Sequence, residues 1–259
     1  PAMVAFLVFV SALRIGLRAA LGSLAEARAS LRTALALQLG VPLALIAGLA
    51  VPGWSGTAPA LAVVLAMSAP SISGGPAFTV MLGHDPAPAM RLLVLGTALL
   101  PLTVLPVFWL LPALGGVSEV VLAAARLTAV IGIAVAAAFG LRRLAFPDPR
   151  PATVQALDGL AALTLAVIVV GLMSAVGPLL RSDPMALAGW LALAFAVNFG
   201  VQGAARAAGA PVSVCVVAGN RNIALFLVAL PAAATDPVLA FIGCYQVPMY
   251  LTPVLFLRF

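Results

Sequence analysis

The most distinctive chemistry in this sequence belongs to Arg221, which lies between Asn220 and Asn222 in an otherwise apolar stretch. A guanidinium is planar, permanently charged and carries five N–H donors, so it suits carboxylates and other oxyanions. At the centre of a lipid bilayer it costs about 2.5–3.5 kcal/mol on insertion scales, and it must therefore face a cavity or a partner. Two interpretations stay open: Arg221 binds an anionic solute, or it caps carbonyl groups that a neighbouring broken helix has freed.

Amide and hydroxyl groups complete the candidate site. Asn220 and Asn222 can both donate and accept hydrogen bonds, so they bind a solute or join two chain segments. Gln38 and Asn198 are lone amides in apolar stretches, where such groups also join neighbouring helices. The predicted solute-binding residues are Gly74, Gly75, Pro76, Asn198, Gly219, Asn220, Arg221 and Asn222. A second, smaller set of candidate ion ligands contains Gln38, Thr97 and Asn222.

The sequence argues against enzymatic and metal chemistry. The apolar stretches contain no pair of acids, no His–Glu zinc pattern and no serine placed with a lysine or histidine, so we predict that the protein is not an enzyme. Cys215, Cys244 and the single His84 lack metal-ligand spacing, which predicts no metal site and no cofactor. The basic residues behind the net charge of +6 are all arginines. Because none forms a dense run with aromatic residues, we expect no nucleic-acid partner.

Composition indicates that these residues lie in a membrane. The chain has 259 residues, of which 64% are hydrophobic and 8% charged, with a mean hydropathy of +1.23. Soluble domains are about a quarter charged, so too little polar material is present to cover a water-facing surface. Because only helices satisfy their own backbone in lipid with short connections, we predict an all-α membrane protein surrounded by lipid. Nine apolar segments of about 20 residues, the length that spans a bilayer, lie at 1–17, 33–52, 59–82, 87–114, 119–141, 154–180, 185–205, 211–233 and 236–257.

The arginines between these segments predict the orientation of the chain. If alternate connections face the same side, ten arginines fall on one side and only Arg181 on the other, while Arg126 and Arg221 lie inside segments. Cytoplasmic loops of membrane proteins carry the excess of basic residues, so we expect the arginine-rich loops to be cytoplasmic. The ten are Arg14, Arg18, Arg28, Arg32, Arg91, Arg142, Arg143, Arg150, Arg206 and Arg258.

A repeated proline signature predicts two related halves. The element from Pro101 to Pro106 recurs from Pro248 to Pro253, a shift of 147 residues (248 minus 101), and each copy lies in an apolar segment. The second half holds five segments and the first holds four, so we expect the first to lack one helix of ten. Five helices in each repeat would invert the second copy in the membrane. The predicted repeats are residues 1–117 and 118–259.

Two apolar segments contain residues that interrupt a helix. In the third segment we expect the helix to unwind near Gly74–Pro76, because proline lacks an amide donor and glycine relaxes the backbone. The eighth segment contains the counterpart at Ala218–Asn222. Backbone at membrane depth leaves the helical form only against protein or a water-filled cavity. Paired interrupted helices near the middle of the bilayer are typical of the solute sites of secondary transporters.

With these elements the chain resembles the bile acid:sodium symporter superfamily, which includes bacterial transporters. That family's fourth helix has a Pro-Gly-Gly stretch, a Gly-Asp turn and a helix with threonine and two prolines. Gly219–Asn222 resembles the Gly-x-Gln-Asn crossing of its ninth helix, and Asn198–Gly200 resembles part of its eighth. The resemblance covers nearly the whole chain and implies an inverted-repeat secondary transporter with two crossing broken helices in a bacterial inner membrane. The positions that match the fourth-helix spacing are Pro70, Asp85, Thr97 and Pro101.

The resemblance also implies how the parts divide and move. Residues 33–114 and 185–259 would form a core that carries the crossing helices. Residues 1–17 and 119–180 would form a panel against which the core rocks, which gives alternating access to a solute site.

Departures from the family's pattern concern sodium. Gly75-Pro76 stands where the family has Ser-Asn, Val217-Ala218 stands where it has an acidic residue, and Arg221 stands where it has glutamine. Losing the acid and adding a fixed cation repel Na⁺ in surroundings of low dielectric constant. We therefore predict transport of a small organic anion that uses the charge of Arg221, by facilitated transport or exchange. The alternative is a sodium-coupled organic-anion symporter with a rearranged ion site.

Overall fold

The computed structural model describes residues 2–15, 24–145, 147 and 149–256. Within these residues the chain is helical and contains no strand. The long apolar helices indicate an integral membrane protein, as the composition predicts, whereas the count of nine spans stays a prediction. The six helical stretches that are long and apolar enough to cross a membrane are Glu26–Ala50, Ala87–Trp109, Val117–Ala145, Pro151–Ser182, Pro184–Ala207 and Ala232–Leu255.

Short connections join the helices. A π-helical turn at Ala36–Gly40 joins α2 to α3, and 3₁₀ turns at Met173–Ala175 and Asp236–Val238 join α8 to α9 and α13 to α14. Each of these three pairs therefore forms one nearly continuous helical stretch. The α-helices are α1 Ala2–Ile15, α2 Leu24–Leu35, α3 Val41–Ala50, α4 Ala58–Ser68, α5 Gly75–Met81, α6 Ala87–Trp109, α7 Val117–Ala145, α8 Pro151–Leu172, α9 Val176–Ser182, α10 Pro184–Ala207, α11 Val212–Gly219, α12 Phe226–Ala229, α13 Ala232–Thr235 and α14 Leu239–Leu255.

The third predicted segment is interrupted between α4 and α5. Pro70 disfavours helical backbone in the residue before it, and Ala69 is accordingly extended, with φ −69° and ψ 153°. The helix resumes at Gly75, so Gly75 and Pro76 lie in the first turn of α5. The predicted unwinding near Gly74–Pro76 was therefore placed too late in the chain. Proline suits a first helical turn because its missing N–H would have no partner there.

The eighth predicted segment is interrupted at the expected place. α11 ends at Gly219, and the backbone is no longer helical at Asn220, with φ −98° and ψ 94°, or at Asn222, with φ −87° and ψ 68°. A 3₁₀ turn at Ile223–Leu225 then leads into α12.

The two proline signatures lie inside α6 and α14. Each proline removes the hydrogen bond to the carbonyl four residues earlier, so both helices carry the same local weakness. The division into two repeats, at residues 117 and 118, stays a prediction.

The helices pack in neighbouring groups. α1 lies against α7 and α8, α10 lies against α11 and α14, and α6 lies against α2 and α7. Arg126 in α7 donates through Nη1 to the carbonyl of Ala229 at 3.4 Å, at the end of α12. That contact gives one of the two arginines predicted inside apolar segments a carbonyl partner.

Two arginines tie α1 to its neighbours at one end. Nη1 of Arg142 in α7 donates to the carbonyls of Leu13 at 2.6 Å and Arg14 at 2.9 Å, in the last turn of α1. Arg14 in turn forms an ion pair with Asp158 of α8. A cation suits a helix C-terminus because the last carbonyls lack helical partners. α1, α7 and α8 are therefore joined through charged groups.

Candidate functional site

The two interruptions are hydrogen-bonded to each other. The N–H of Ile72 donates to the carbonyl of Asn220 at 3.0 Å, and the N–H of Asn222 donates to the carbonyl of Pro70 at 2.8 Å. Ser71 and Arg221 therefore form an isolated antiparallel bridge. Backbone groups that leave a helix inside a membrane must find other partners, and here each interruption satisfies part of the other.

Arg221 is buried at this bridge, with 2% of its surface exposed. Its Nε donates to the carbonyl of Ala218 at 2.9 Å, Nη1 to Ala69 at 3.2 Å and Nη2 to Leu37 at 3.3 Å. Ala69 follows α4, Ala218 lies in the last turn of α11, and Leu37 lies in the π-helical turn. The guanidinium thus holds three carbonyls from three segments. This geometry is that of the capping interpretation, while direct contact of Arg221 with a solute stays a prediction.

Asn198 and Asn220 belong to a buried amide network on α10 and α11. Nδ2 of Asn198 donates to the carbonyl of Gly219 at 2.7 Å and to Oδ1 of Asn220 at 3.3 Å. Gln202 donates through Nε2 to Oδ1 of Asn198 at 2.7 Å and to Oγ1 of Thr252 at 3.1 Å. Asn198, Asn220, Gln202 and Thr252 have no exposed surface. These contacts join α10, α11 and α14, so Asn198 and Asn220 act between helices.

Sequence reasoning missed three members of this network: Gln202, Thr252 and Tyr245, whose hydroxyl donates to the carbonyl of Gly219. A signal for Gln202 was present, because it follows Asn198 by one helical turn and so lies on the same face of α10. Tyr245 and Thr252 come from a helix more than forty residues further along the chain. No local pattern connects them to Asn198.

Replacing Tyr245 with phenylalanine tests the network. The substitution removes the donor to Gly219, and we expect the free energy of unfolding to fall by about 1 kcal/mol, the typical contribution of one hydrogen bond. Tyr250→Phe on the same helix is the matched control. The Tyr250 hydroxyl has no hydrogen bond within the described chain. Its removal should therefore change the free energy of unfolding by less than about 0.5 kcal/mol. Thermal unfolding in detergent measures both. Equal effects of the two substitutions would contradict the role of Tyr245.

Gln38 occupies an equally closed position in the first half. It is 2% exposed and donates through Nε2 to the carbonyl of Gly96 at 3.1 Å. A Cβ atom at Gly96 would lie 2.7 Å from Oε1 of Gln38, so the glycine permits this close contact between the π-helical turn and α6. The predicted role of Gln38 as an ion ligand stays a prediction.

A cavity of about 490 Å³ lies beside the bridge, between α1, α6 and α7. Ala98 and Gly132 of its lining are exposed, so it is open on one side. The α7 residues that line it recur every three or four positions and share one face of that helix. Most of the lining residues are apolar. The lining residues on α7 are Thr128, Ile131, Gly132, Val135, Ala136 and Phe139.

The polar groups of the cavity are hydroxyls and one amide: Ser11, Ser73, Thr97, Thr128 and Asn222. The hydroxyl of Ser11 donates to that of Ser73 at 3.2 Å, across the cavity from α1 to the first interruption. Thr128 donates to the carbonyl of Ala124 at 2.9 Å in its own helix. Within the described chain the side chains of Thr97 and Asn222 make no hydrogen bond. Those two groups are therefore available to a bound molecule.

Apart from Gln38, the structure divides the predicted site residues into two groups. Thr97 and Asn222 line the cavity, together with residues of α1 and α7 that the sequence did not indicate. The others surround the bridge: Arg221, Asn220, Gly219 and Asn198 through hydrogen bonds, and Gly74, Gly75 and Pro76 where α5 begins. A Cβ atom at Gly75 would lie 2.8 Å from Oγ of Ser71, so Gly75 packs directly against the interruption.

Sodium, the ion that the resemblance implies, does not fit the oxygen atoms around Arg221. The three carbonyls that converge there already accept hydrogen bonds from a permanent cation. Val217 and Ala218 stand where the pattern of the bile acid:sodium symporter superfamily has an acidic residue, so no carboxylate is supplied there. Within the described residues no three His, Cys, Asp or Glu side chains are grouped in a way that suits a metal ion.

No protein-family model matches the chain, and no curated protein matches it either. The resemblance to the bile acid:sodium symporter superfamily therefore stays a prediction that rests on the quoted motifs.

Proposed function

We propose that this protein is a secondary transporter that moves a small organic anion across a bacterial inner membrane by alternating access. The observation that carries this proposal is an open cavity of about 490 Å³ beside two interrupted helices that are hydrogen-bonded to each other. Cavities of roughly 300–1,000 Å³ with apolar walls and a few polar groups accept small organic molecules. Interrupted helices at such a cavity are typical of transporter solute sites.

The same proposal assigns the moving parts. α1 and α7 line one wall of the cavity, and α6 with the two interruptions lines the other. These walls belong to the predicted panel and core, and rocking of one against the other would open the cavity to alternate sides. The inverted repeat, the ten-helix plan and cytoplasmic arginine-rich loops are parts of this proposal.

An anionic solute fits because a buried positive charge, that of Arg221, lies next to Asn222 of the cavity lining. Arg221 forms no ion pair with a carboxylate in the described chain, since the ion pairs there are Arg14–Asp158 and Arg91–Glu26. Where the effective dielectric constant of the protein is about 20, two opposite unit charges about 8 Å apart attract each other by about 2 kcal/mol. Asn222, next to Arg221, would bind the polar end of the solute, and the apolar walls would hold its body. Arg221 then attracts the solute electrostatically without touching it.

Uptake measurements test the function and its coupling. Proteoliposomes are screened with labelled organic carboxylates and sulfonates, with and without an inward sodium gradient. We expect uptake of an anion that does not depend on sodium. Accumulation driven by the sodium gradient would instead establish the alternative, a sodium-coupled organic-anion symporter. No uptake of any organic anion, together with uptake of a neutral or cationic solute, would contradict the proposed substrate class.

Asn222→Leu tests the solute contact directly. Leucine has nearly the same size but lacks the amide, so we expect the KM for the transported anion to rise about tenfold, the effect of losing about 1.4 kcal/mol. Stability should be unchanged, because the amide makes no hydrogen bond within the described chain. Thr103→Val is the control, since its hydroxyl bonds within α6 and does not line the cavity. An unchanged KM for Asn222→Leu would contradict the contact.

A further inference from the structure

We infer that the guanidinium of Arg221 is a built-in cation that occupies a carbonyl-lined site for a monovalent cation, so that this site needs no ion from solution. The inference deepens the proposed function and rests on it only for its bearing on ion coupling. The inferred cation site consists of three carbonyl oxygens and one guanidinium, and its occupancy can be tested without measuring transport.

The three carbonyls are of a kind that suits a cation. Those of Ala69 and Ala218 lie at the C-terminal ends of α4 and α11, where carbonyls lack helical partners and carry partial negative charge. The carbonyl of Leu37 lies in a π-helical turn, where the regular hydrogen-bond pattern is shifted. In ion-selective proteins, backbone carbonyls from several segments replace the hydration shell of a monovalent cation. Here each carbonyl meets a different nitrogen of the guanidinium, so the three surround a space of that group's size.

Here the cation is supplied by the chain. Arg221 reaches the carbonyls of Ala218, Ala69 and Leu37 at 2.9, 3.2 and 3.3 Å. The two interruptions join through backbone bonds of their own, so the guanidinium is not needed to complete that bridge. What it adds is a positive charge among three oxygen atoms. A second cation about 4 Å away would be repelled strongly in such surroundings, which excludes Na⁺ while Arg221 is present.

Removing the guanidinium should therefore create a dependence on added cations. The test compares thermal unfolding of purified protein in sodium chloride and in choline chloride at equal ionic strength. The charged nitrogen of choline is enclosed by alkyl groups and cannot be coordinated by carbonyl oxygens as Na⁺ is, so the comparison separates occupancy from general salt effects. The wild-type protein should unfold at the same temperature in both salts. Arg221→Ala should unfold at a lower temperature in choline chloride and regain about 3 °C or more in sodium chloride, with a saturating dependence on sodium concentration.

Arg221→Lys is the matched variant, because it keeps the charge and loses the planar fork. It should unfold at one temperature in both salts, like the wild type. Three outcomes overturn the inference: sodium stabilises the wild type over choline, Arg221→Ala folds but responds equally to both salts, or Arg221→Lys acquires the sodium dependence. If Arg221→Ala does not fold, Arg221→Met, which also lacks the charge but keeps more of the side-chain volume, replaces it in the same comparison. Because the readout is unfolding, a failure here is distinct from a failure to transport an anion.

Discussion

Gly219→Ala is expected to lower the free energy of unfolding by about 3 kcal/mol, at the upper end of the range for overpacked sites. A Cβ atom at Gly219 would lie 2.4 Å from Cγ of Gln202 and 2.5 Å from the backbone oxygen of Asn198. A flexible side chain could move aside, but a backbone oxygen of α10 cannot without moving the helix. Gly219 also supplies the carbonyl to which Asn198 and Tyr245 donate, so any shift disturbs the amide network.

Gly200→Ala on α10 is the control for this substitution. Its Cβ would meet nothing within 4 Å, and alanine is a better helix former than glycine by up to about 1 kcal/mol, so this variant should be as stable as the wild type or more so. Thermal or denaturant unfolding in detergent compares the two. Equal stability of Gly219→Ala and Gly200→Ala would mean that α10 and α11 do not approach each other as closely as described.

Local chemistry in the sequence predicted the membrane class and the existence of both interruptions. Composition alone indicates a lipid environment, and the six long apolar helices agree with it. The break after Gly219 falls where Asn220 and Asn222 predicted it. The break before Gly75 was misplaced because the glycines were given more weight than Pro70. The steric effect of a proline on the residue before it decides where α4 ends.

The partners of Arg221 could not be predicted from neighbouring residues. The carbonyl of Ala218 is three positions away, but those of Ala69 and Leu37 are 152 and 184 positions away along the chain. The sequence left two interpretations open because a buried arginine satisfies both equally well in chemical terms. Only the arrangement of α4, α11 and the π-helical turn brings three freed carbonyls to one guanidinium.

The walls of the cavity gave still less signal. Gly132, Ala136 and Ala98 are small apolar residues, and such residues are frequent wherever membrane helices approach each other. Nothing in their spacing separates a face that lines a cavity from one that packs on a helix. Thr97 and Asn222 were among the predicted residues because polar groups are rare in these stretches. The predicted set thus contains two of the five polar residues that line the cavity, and none of its apolar wall.

Gly132→Trp is expected to reduce uptake of the transported anion by at least about a hundredfold. Gly132 lines the cavity on α7, and a Cβ atom there meets nothing within 4 Å, so an indole enters open space rather than packed protein. Tryptophan brings 150–250 Å² of largely apolar surface, which would occupy the space that the solute needs. A hundredfold loss corresponds to about 2.7 kcal/mol, within the range for forcing a bulky group into an occupied site.

Gly140→Trp separates blockage from damage to α7. Gly140 lies on the same helix, is exposed, and has no atom within 4 Å of its Cβ position, but it does not line the cavity. Both variants should unfold at the wild-type temperature, and Gly140→Trp should retain wild-type uptake in the same proteoliposomes. Uptake at the wild-type rate by Gly132→Trp would mean that the solute crosses the membrane by another route. Loss of uptake in both variants would mean that a bulky residue anywhere on α7 abolishes transport. That result would contradict the assignment of the cavity as the solute site.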